Sequence, residues 1–331
     1  MQAFLNLARH NRHLPLLDSL RGRIRMLESL PILASKLTGV WPDFLVGITL
    51  MVAVSSALCL FSSQACNPGR VWWRNPGLVT DICYWLVVQA LAPFLRMGLL
   101  MGLAAVALAF VTQDELNDYL VNGRGPLGAL PFWGQVAAYL LLSDFLLYWN
   151  HRLFHGARLW RYHAIHHSAE EVDWTTAYRF HPVNLCFGSF LVDVVMLYIG
   201  VSPTVLLLLV PFQVTTAVFV HANLNWTFGP LKYVVATPVF HRWHHTSPAE
   251  GGSRNFAPTF AVWDVLFGTF HMPEGKLPQN YGVDDPQFPR DFLRQLIFPF
   301  RNRNAGIGAV LTRPLNAPPS AIGSVGPQPG S

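Results

Sequence analysis

Thirteen histidines occur in the 331 residues, and ten of them fall between positions 151 and 245. Eight stand in three short motifs: HRLFH at 151–155, HAIHH at 163–167 and HRWHH at 241–245. On a helix, residues three and four apart share a face. His151 and His155 can therefore meet on one ion, and the triplets His163, His166, His167 and His241, His244, His245 repeat the device. Gathering that many imidazoles costs stability through desolvation and mutual protonation unless a cation holds them. A structural zinc takes about four protein ligands and a catalytic metal about three, so eight ring nitrogens imply two ions. No glutamate follows His151 as in the HExxH of zinc proteases, and the inner positions of the motifs carry no carboxylate, which disfavours metalloprotease chemistry.

Two further histidines, His181 in RFHP and His221 in HAN, flank the apolar stretch 183–220. A hairpin there would return both to the same side as the motifs, as ninth and tenth ligands. The competing reading is that each caps a helix end or binds a backbone carbonyl. Asp144 lies two helical turns before His151 within an apolar stretch, where an unpaired carboxylate is costly. It is read either as the acceptor of a ligand histidine's ring N–H, fixing that ring's tautomer, or as the partner of Arg152 or Arg158. Glu170, Glu171, Asp173 and Asp264 are read as solvated or structural. His10, His13 and His271 stand apart as non-ligands. The tryptophans and tyrosines around the motifs fit an interfacial belt better than a lipid pocket.

The elements that must position these residues are apolar helices. Hydrophobic residues make up 52% of the chain and charged residues 12%, against roughly a quarter charged in a soluble domain. The expected fold is an all-α integral membrane protein, a multi-span helical bundle with a cytoplasmic histidine-rich cap. Residues 1–43 form a basic cytoplasmic segment with Arg9, Arg12, Arg21, Arg23, Arg25 and Lys36. Residues 44–130 hold the N-terminal spans: 44–61, then a pair within 78–110 turning near Pro93 and Arg96. The region 131–275 follows, with a span at 131–150 that delivers His151 to the cytoplasmic face and a hairpin, 183–200 and 204–220, joined at Ser202 and Pro203. Residues 276–331 are a cytoplasmic segment ending in a disordered Pro- and Gly-rich tail. Four cysteines without a CxxC pair suggest neither disulfides nor sulfur ligation. The formal charge of +5 arises from arginines at the ends of apolar runs, as the positive-inside rule requires, and gives no support to nucleic-acid binding.

The three motifs, with RFHP and HAN, resemble the fatty acid hydroxylase and sterol desaturase superfamily of membrane di-iron enzymes, over about residues 131–275. The resemblance implies a helical membrane bundle, two Fe ions, O2 as co-substrate, and hydroxylation or desaturation of a C–H bond on a fatty acyl or sterol-like lipid. It carries ligand roles onto His151, His155, His163, His166, His167, His241, His244 and His245. Some relatives have a second histidine four residues after the position of His221; this chain has Asn225 there. Neither a flavin or nicotinamide fingerprint nor a haem-attachment motif is present, so the two electrons per turnover are expected from a separate ferredoxin or small cytochrome. The alternatives are a histidine-rich divalent-metal transporter, whose imidazoles would line a path through the spans, and a membrane scaffold with zinc-stapled loops.

Overall fold

The computed structural model describes residues 64–87, 112–247, 250–285 and 287–301, with isolated positions between 49 and 106. The basic N-terminal segment, the span at 44–61, the turn near Pro93 and Arg96, and the C-terminal tail lie outside the described residues. Among the described residues every regular element is helical, and the one β contact is an isolated bridge between Thr246 and Tyr281.

The helices that matter for the site are, in chain order, α1 (Leu78–Val87), α2 (Gln113–Asn122), α3 (Phe132–Phe154), α4 (Trp160–His167), α5 (Pro182–Tyr198), α6 (Pro203–His221), α7 (Pro238–His244), α8 (Val262–Leu266) and α9 (Phe292–Arg301). The long helix α3 is the central one. Its 23 residues span about 35 Å at 1.5 Å per residue. Gln135, Tyr139, Ser143, Asp144 and Tyr148 form its buried stripe, whereas Trp133, Leu141, Leu142 and Leu153 are exposed. A helix in water shows the opposite pattern, with its apolar stripe inward. The inward polar stripe leads along the helix to His151 and His155.

Both arms of the hairpin pack against α3, with Val192, Met196 and Leu197 of α5 and Val205, Leu206 and Leu209 of α6 in one core around Tyr139. The helices run over 182–198 and 203–221, where the sequence places 183–200 and 204–220. A π-turn at Cys186–Phe190 interrupts α5. Among the described residues α6 is the one helix long and apolar enough to cross a membrane; α5 is apolar but shorter. The expected span at 131–150 is a helix of sufficient length, but one whose polar stripe reduces its apolarity.

The turn between the arms is closed by α2. A reciprocal Thr112–Glu115 capping box starts α2, and its last carbonyls, of Leu120 and Val121, accept from Ser202 Oγ at 3.0 and 2.7 Å. Ser202 Oγ in turn caps α6 by accepting from Thr204 N–H. Gly200 takes a positive φ of 103°, and a Cβ there would collide with the Arg124 carbonyl.

On the opposite side, α1 is tied in by a buried ion pair. Arg179 Nε donates to Asp81 Oδ1 at 2.7 Å, and both side chains are almost wholly excluded from solvent. The same guanidinium reaches Ser168 Oγ at 3.2 Å, at the end of α4. α1 thus braces the helix that carries three of the motif histidines. Replacing Asp81 by Asn leaves Arg179 buried without a counter-charge, a loss of about 3–5 kcal/mol. The expected outcome is a lower melting temperature of the purified protein in detergent, with Arg179→Met in the same background recovering part of the loss.

Candidate metal centre

Two short helices and the ends of two long ones converge. His151 and His155 lie at the C-terminal end of α3; His163, His166 and His167 lie on α4; His221 ends α6; His241 and His244 lie on α7, with His245 following it. Thr237 caps α7 by accepting from Phe240 N–H, and Pro238 occupies its first turn, so the helix starts where its histidines require.

The nine rings form two groups. His151, His155, His163, His167 and His244 make one, and His166, His221, His241 and His245 the other, with the nitrogens of each group within 4.8 Å of one another. The two groups abut, His167 stacking on His245 at 4.7 Å between ring centroids. The sequence suggests that each triplet serves one ion from a common face, but the structure divides every triplet. His163 and His167 enter one group and His166 the other; His241 and His245 enter the second and His244 the first. Helical geometry explains the division: positions i and i+4 are about 40° apart around the axis, whereas i+3 and i+4 are about 100° apart.

The outer ring nitrogens are held by acceptors. His151 Nδ1 donates to the Phe256 carbonyl at 2.7 Å, His163 Nδ1 to Asn184 Oδ1 at 2.7 Å, His221 Nδ1 to the Ala217 carbonyl at 2.6 Å, and His244 Nδ1 to the Arg254 carbonyl at 2.7 Å. A neutral imidazole has one N–H, so these four rings present bare Nε2 lone pairs to the centre. His151 Nε2 and His163 Nε2 then face each other at 2.9 Å with no proton between them. His155, His167 and His244 bury an Nε2 without any partner. In the second group the Nε2 atoms of His221, His241 and His245 stand 3.1–3.2 Å apart. Converging lone pairs repel, and a cation is what turns that repulsion into attraction. Burial and the neighbouring imidazoles also hold His155, His163, His166, His167, His241, His244 and His245 well below the usual histidine range, which keeps them neutral and able to ligate.

Apolar walls close the site. Phe180 stacks on His166 at 4.2 Å, Trp160 lies 5.1 Å from both His155 and His167, and Phe256 packs on His155 at 5.0 Å. Nine imidazoles in two compact groups do not line a path, which is what the transporter alternative requires.

The segment Arg254–Ala257 organises both α3 and α7 rings. Its carbonyls at 254 and 256 hold His244 and His151, and it is fixed in turn by Asp264, whose carboxylate accepts from Phe256 N–H and Ala257 N–H at 2.8 Å and from Thr269 Oγ1 at 2.6 Å. Burial pushes the Asp264 carboxyl up to about 6 despite these donors. Asn255, at a φ of 58°, donates to the Phe240 and His271 carbonyls and accepts from His271 N–H. Arg242, inside the HRWHH motif, is fully buried; it donates to the carbonyls of Val172 and His221 and to Asn67 Oδ1.

Two sequence expectations are corrected. His181 belongs to neither group: its Nδ1 accepts from Val183 N–H at 3.1 Å and its Nε2 donates to the Leu296 carbonyl at 3.2 Å, so it caps α5. Asp144 touches neither a histidine nor Arg152 or Arg158. Its Oδ2 accepts from Phe260 N–H and Trp263 Nε1–H, both at 3.0 Å, docking the 260–263 backbone onto α3. The acceptors that do fix ring orientation, Asn184 and the Asp264-held segment, are missed by sequence reasoning. An acid inside the apolar run VWDVLFG, and an amide three residues after His181, were the available signals.

Residues 136–269 match the family model described as fatty acid hydroxylase. The chain is 32% identical over 174 residues to the ornithine lipid hydroxylase OlsE of Rhizobium tropici, covering 52% of each chain. It is 30% identical over 184 residues to the alkylglycerol monooxygenase of Homo sapiens, covering 54% of this chain and 40% of that one, and 29% identical over 147 residues to methylsterol monooxygenase 2-2 of Arabidopsis thaliana, covering 42% and 55%. It therefore spans about half the length of these relatives, or less. No solved structure matches. The matched stretch runs from the buried stripe of α3 to Thr269 beside Asp264, and takes in all nine converging histidines, so the likeness to the fatty acid hydroxylase model lies where the rings converge.

Proposed function

We propose that the chain is an integral membrane, O2-dependent oxidoreductase that hydroxylates or desaturates a C–H bond of a lipid, with two iron ions held by His151, His155, His163, His167 and His244 and by His166, His221, His241 and His245. The observation that carries the reading is the bare Nε2 pair of His151 and His163 at 2.9 Å, surrounded by neutral imidazoles. The names of the relatives, hydroxylase and monooxygenases of an ornithine lipid, an alkylglycerol and a methylsterol, support a lipid substrate and favour oxygen insertion.

When bound, a pair of iron ions supplies O2 activation and the oxidising power to break an unactivated C–H bond. The chain's own residues do the rest. The carbonyls of Phe256, Ala217 and Arg254 and the amide of Asn184 fix the tautomers that present Nε2 inward. Trp160, Phe180 and Phe256 exclude water from the centre, which protects an oxidant from side reactions. The open apolar faces of α3, α5 and α6, bearing Leu141, Leu142, Leu191 and Leu208, face acyl chains. We place the catalytic region at 131–275, its histidine-bearing side toward the cytoplasm, and the two electrons come from a separate ferredoxin or small cytochrome.

Purified protein is expected to carry close to two irons per chain by metal analysis; one zinc and no iron would refute the reading. His166→Ala and His244→Ala, one from each group, are expected to lose iron and product. His181→Ala and His271→Ala keep the iron, because neither ring enters a group.

The orienting acceptors give a graded effect. Asn184→Leu removes the acceptor on His163 and Asp264→Asn loosens the segment behind His151, and each is expected to weaken iron retention by about 10- to 100-fold, measured by chelator competition. Lipid extracts of cells with and without the intact chain, compared by mass spectrometry, test the reaction itself. A lipid gaining one oxygen is the expected difference; a lipid losing two hydrogens would assign desaturation, and no difference would sink the lipid reading.

A further inference from the structure

Helix α9 follows the family-matched residues 136–269 and carries no group member. Its inner face is firmly held. Gln295, fully buried, donates through Nε2 to Ser168 Oγ at 3.0 Å and to the Pro289 carbonyl at 2.8 Å; the Leu296 carbonyl accepts from His181; Phe298 packs on Phe288 at 4.7 Å. The outer face is open. Leu293 and Phe300 are 66% and 59% exposed, and Ile297 is exposed between them, at spacings of four and three residues that align them in one stripe. Arg294 and Arg301 stand along one edge of that stripe, both exposed, with Arg294 reaching Asp291 at 3.4 Å on the surface.

Three large apolar side chains in line with arginines along one border are poorly suited to water and well suited to a helix lying in the plane of a membrane surface. The aliphatic stems of arginine can run along the apolar face while the guanidinium reaches a phosphate. The neighbouring helix extends the same kind of surface: Val79, Ile82 and Leu86 of α1 are exposed, and α1 opens the apolar run 78–110. Tyr84 against Phe292 at 4.8 Å, and Thr80 Oγ1 donating to the Arg290 carbonyl at 2.9 Å, join the two helices.

We propose that α9 lies in the headgroup–acyl boundary of an anionic bilayer, with Leu293, Ile297 and Phe300 in the lipid and Arg294 and Arg301 on lipid phosphates. Through Gln295 it then fixes Ser168, and so the end of α4, relative to the membrane surface. The proposal rests on the membrane reading given above, and the occupant is lipid rather than a protein partner.

The test uses the full chain in nanodiscs, with Ile297→Cys carrying an environment-sensitive fluorophore. A nitroxide on the shallow part of the acyl chain is expected to quench the label strongly, and aqueous iodide weakly, when the lipid contains phosphatidylglycerol. Adding Arg294→Glu and Arg301→Glu is expected to reverse that ratio, since each basic residue at an anionic surface is worth about fivefold in partitioning. Strong iodide quenching with no lipid quenching, in a chain that alkaline carbonate does not extract from membranes, overturns the proposal and leaves the membrane reading intact. Extraction by carbonate overturns both. A label shielded from both quenchers assigns the stripe to a second copy or to residues 302–331, and overturns the proposal as well.

Discussion

The arrangement depends on lone pairs brought to within hydrogen-bonding distance of one another with no hydrogen to share. Four ring N–H groups point away from the centre into fixed oxygen acceptors, which commits the opposite nitrogens to facing inward bare. Nothing among the described residues offsets that repulsion: neither group contains a carboxylate, and burial makes protonation expensive. A cation held by these groups would consequently add to the stability of this region, since without one the cost of the convergence has no compensation.

That constraint explains why so much of the surrounding polar chemistry is concerned with position. Asp264, Asn255, Asp144 and Arg242 are buried polar residues that each bond to backbone groups, and each bond fixes a stretch of chain that carries or orients a ring. α3 shows the same logic on a larger scale. Its polar stripe points inward and its leucines outward, so the helix can stand in an apolar surrounding while delivering His151 and His155 to a polar centre.

The histidine motifs were legible because their spacing matches the helix repeat, and nine of the ten singled-out rings converge. Spacing alone does not say which side of a helix meets which ion, so the division of HAIHH and HRWHH between two groups required the relative placement of α4 and α7. His181 shows a different limit: a ring near a helix start is equally suited to capping and to ligation, and the neighbouring Val183 N–H and Leu296 carbonyl decide the matter. Asp144 was recognised as needing a partner, but that partner is a backbone N–H and an indole 116 and 119 residues away. The segment behind His151 and His244 was invisible because it acts through carbonyls, which every residue has. The hairpin was legible from two apolar runs and the Ser202–Pro203 junction, since Ser202 both caps α6 and closes α2.

The two carbonyls of Arg254 and Phe256 have an implication for biogenesis. They orient rings on helices that the chain has made earlier, one before the α5–α6 hairpin and one after it. A nascent chain that has emerged only as far as His245 owns every ligand yet lacks the backbone that aims two of them. The hairpin is therefore made before the arrangement can be complete, and the rings of His151 and His244 are aimed late, once the stretch through Asp264 has closed over residues synthesised well before it.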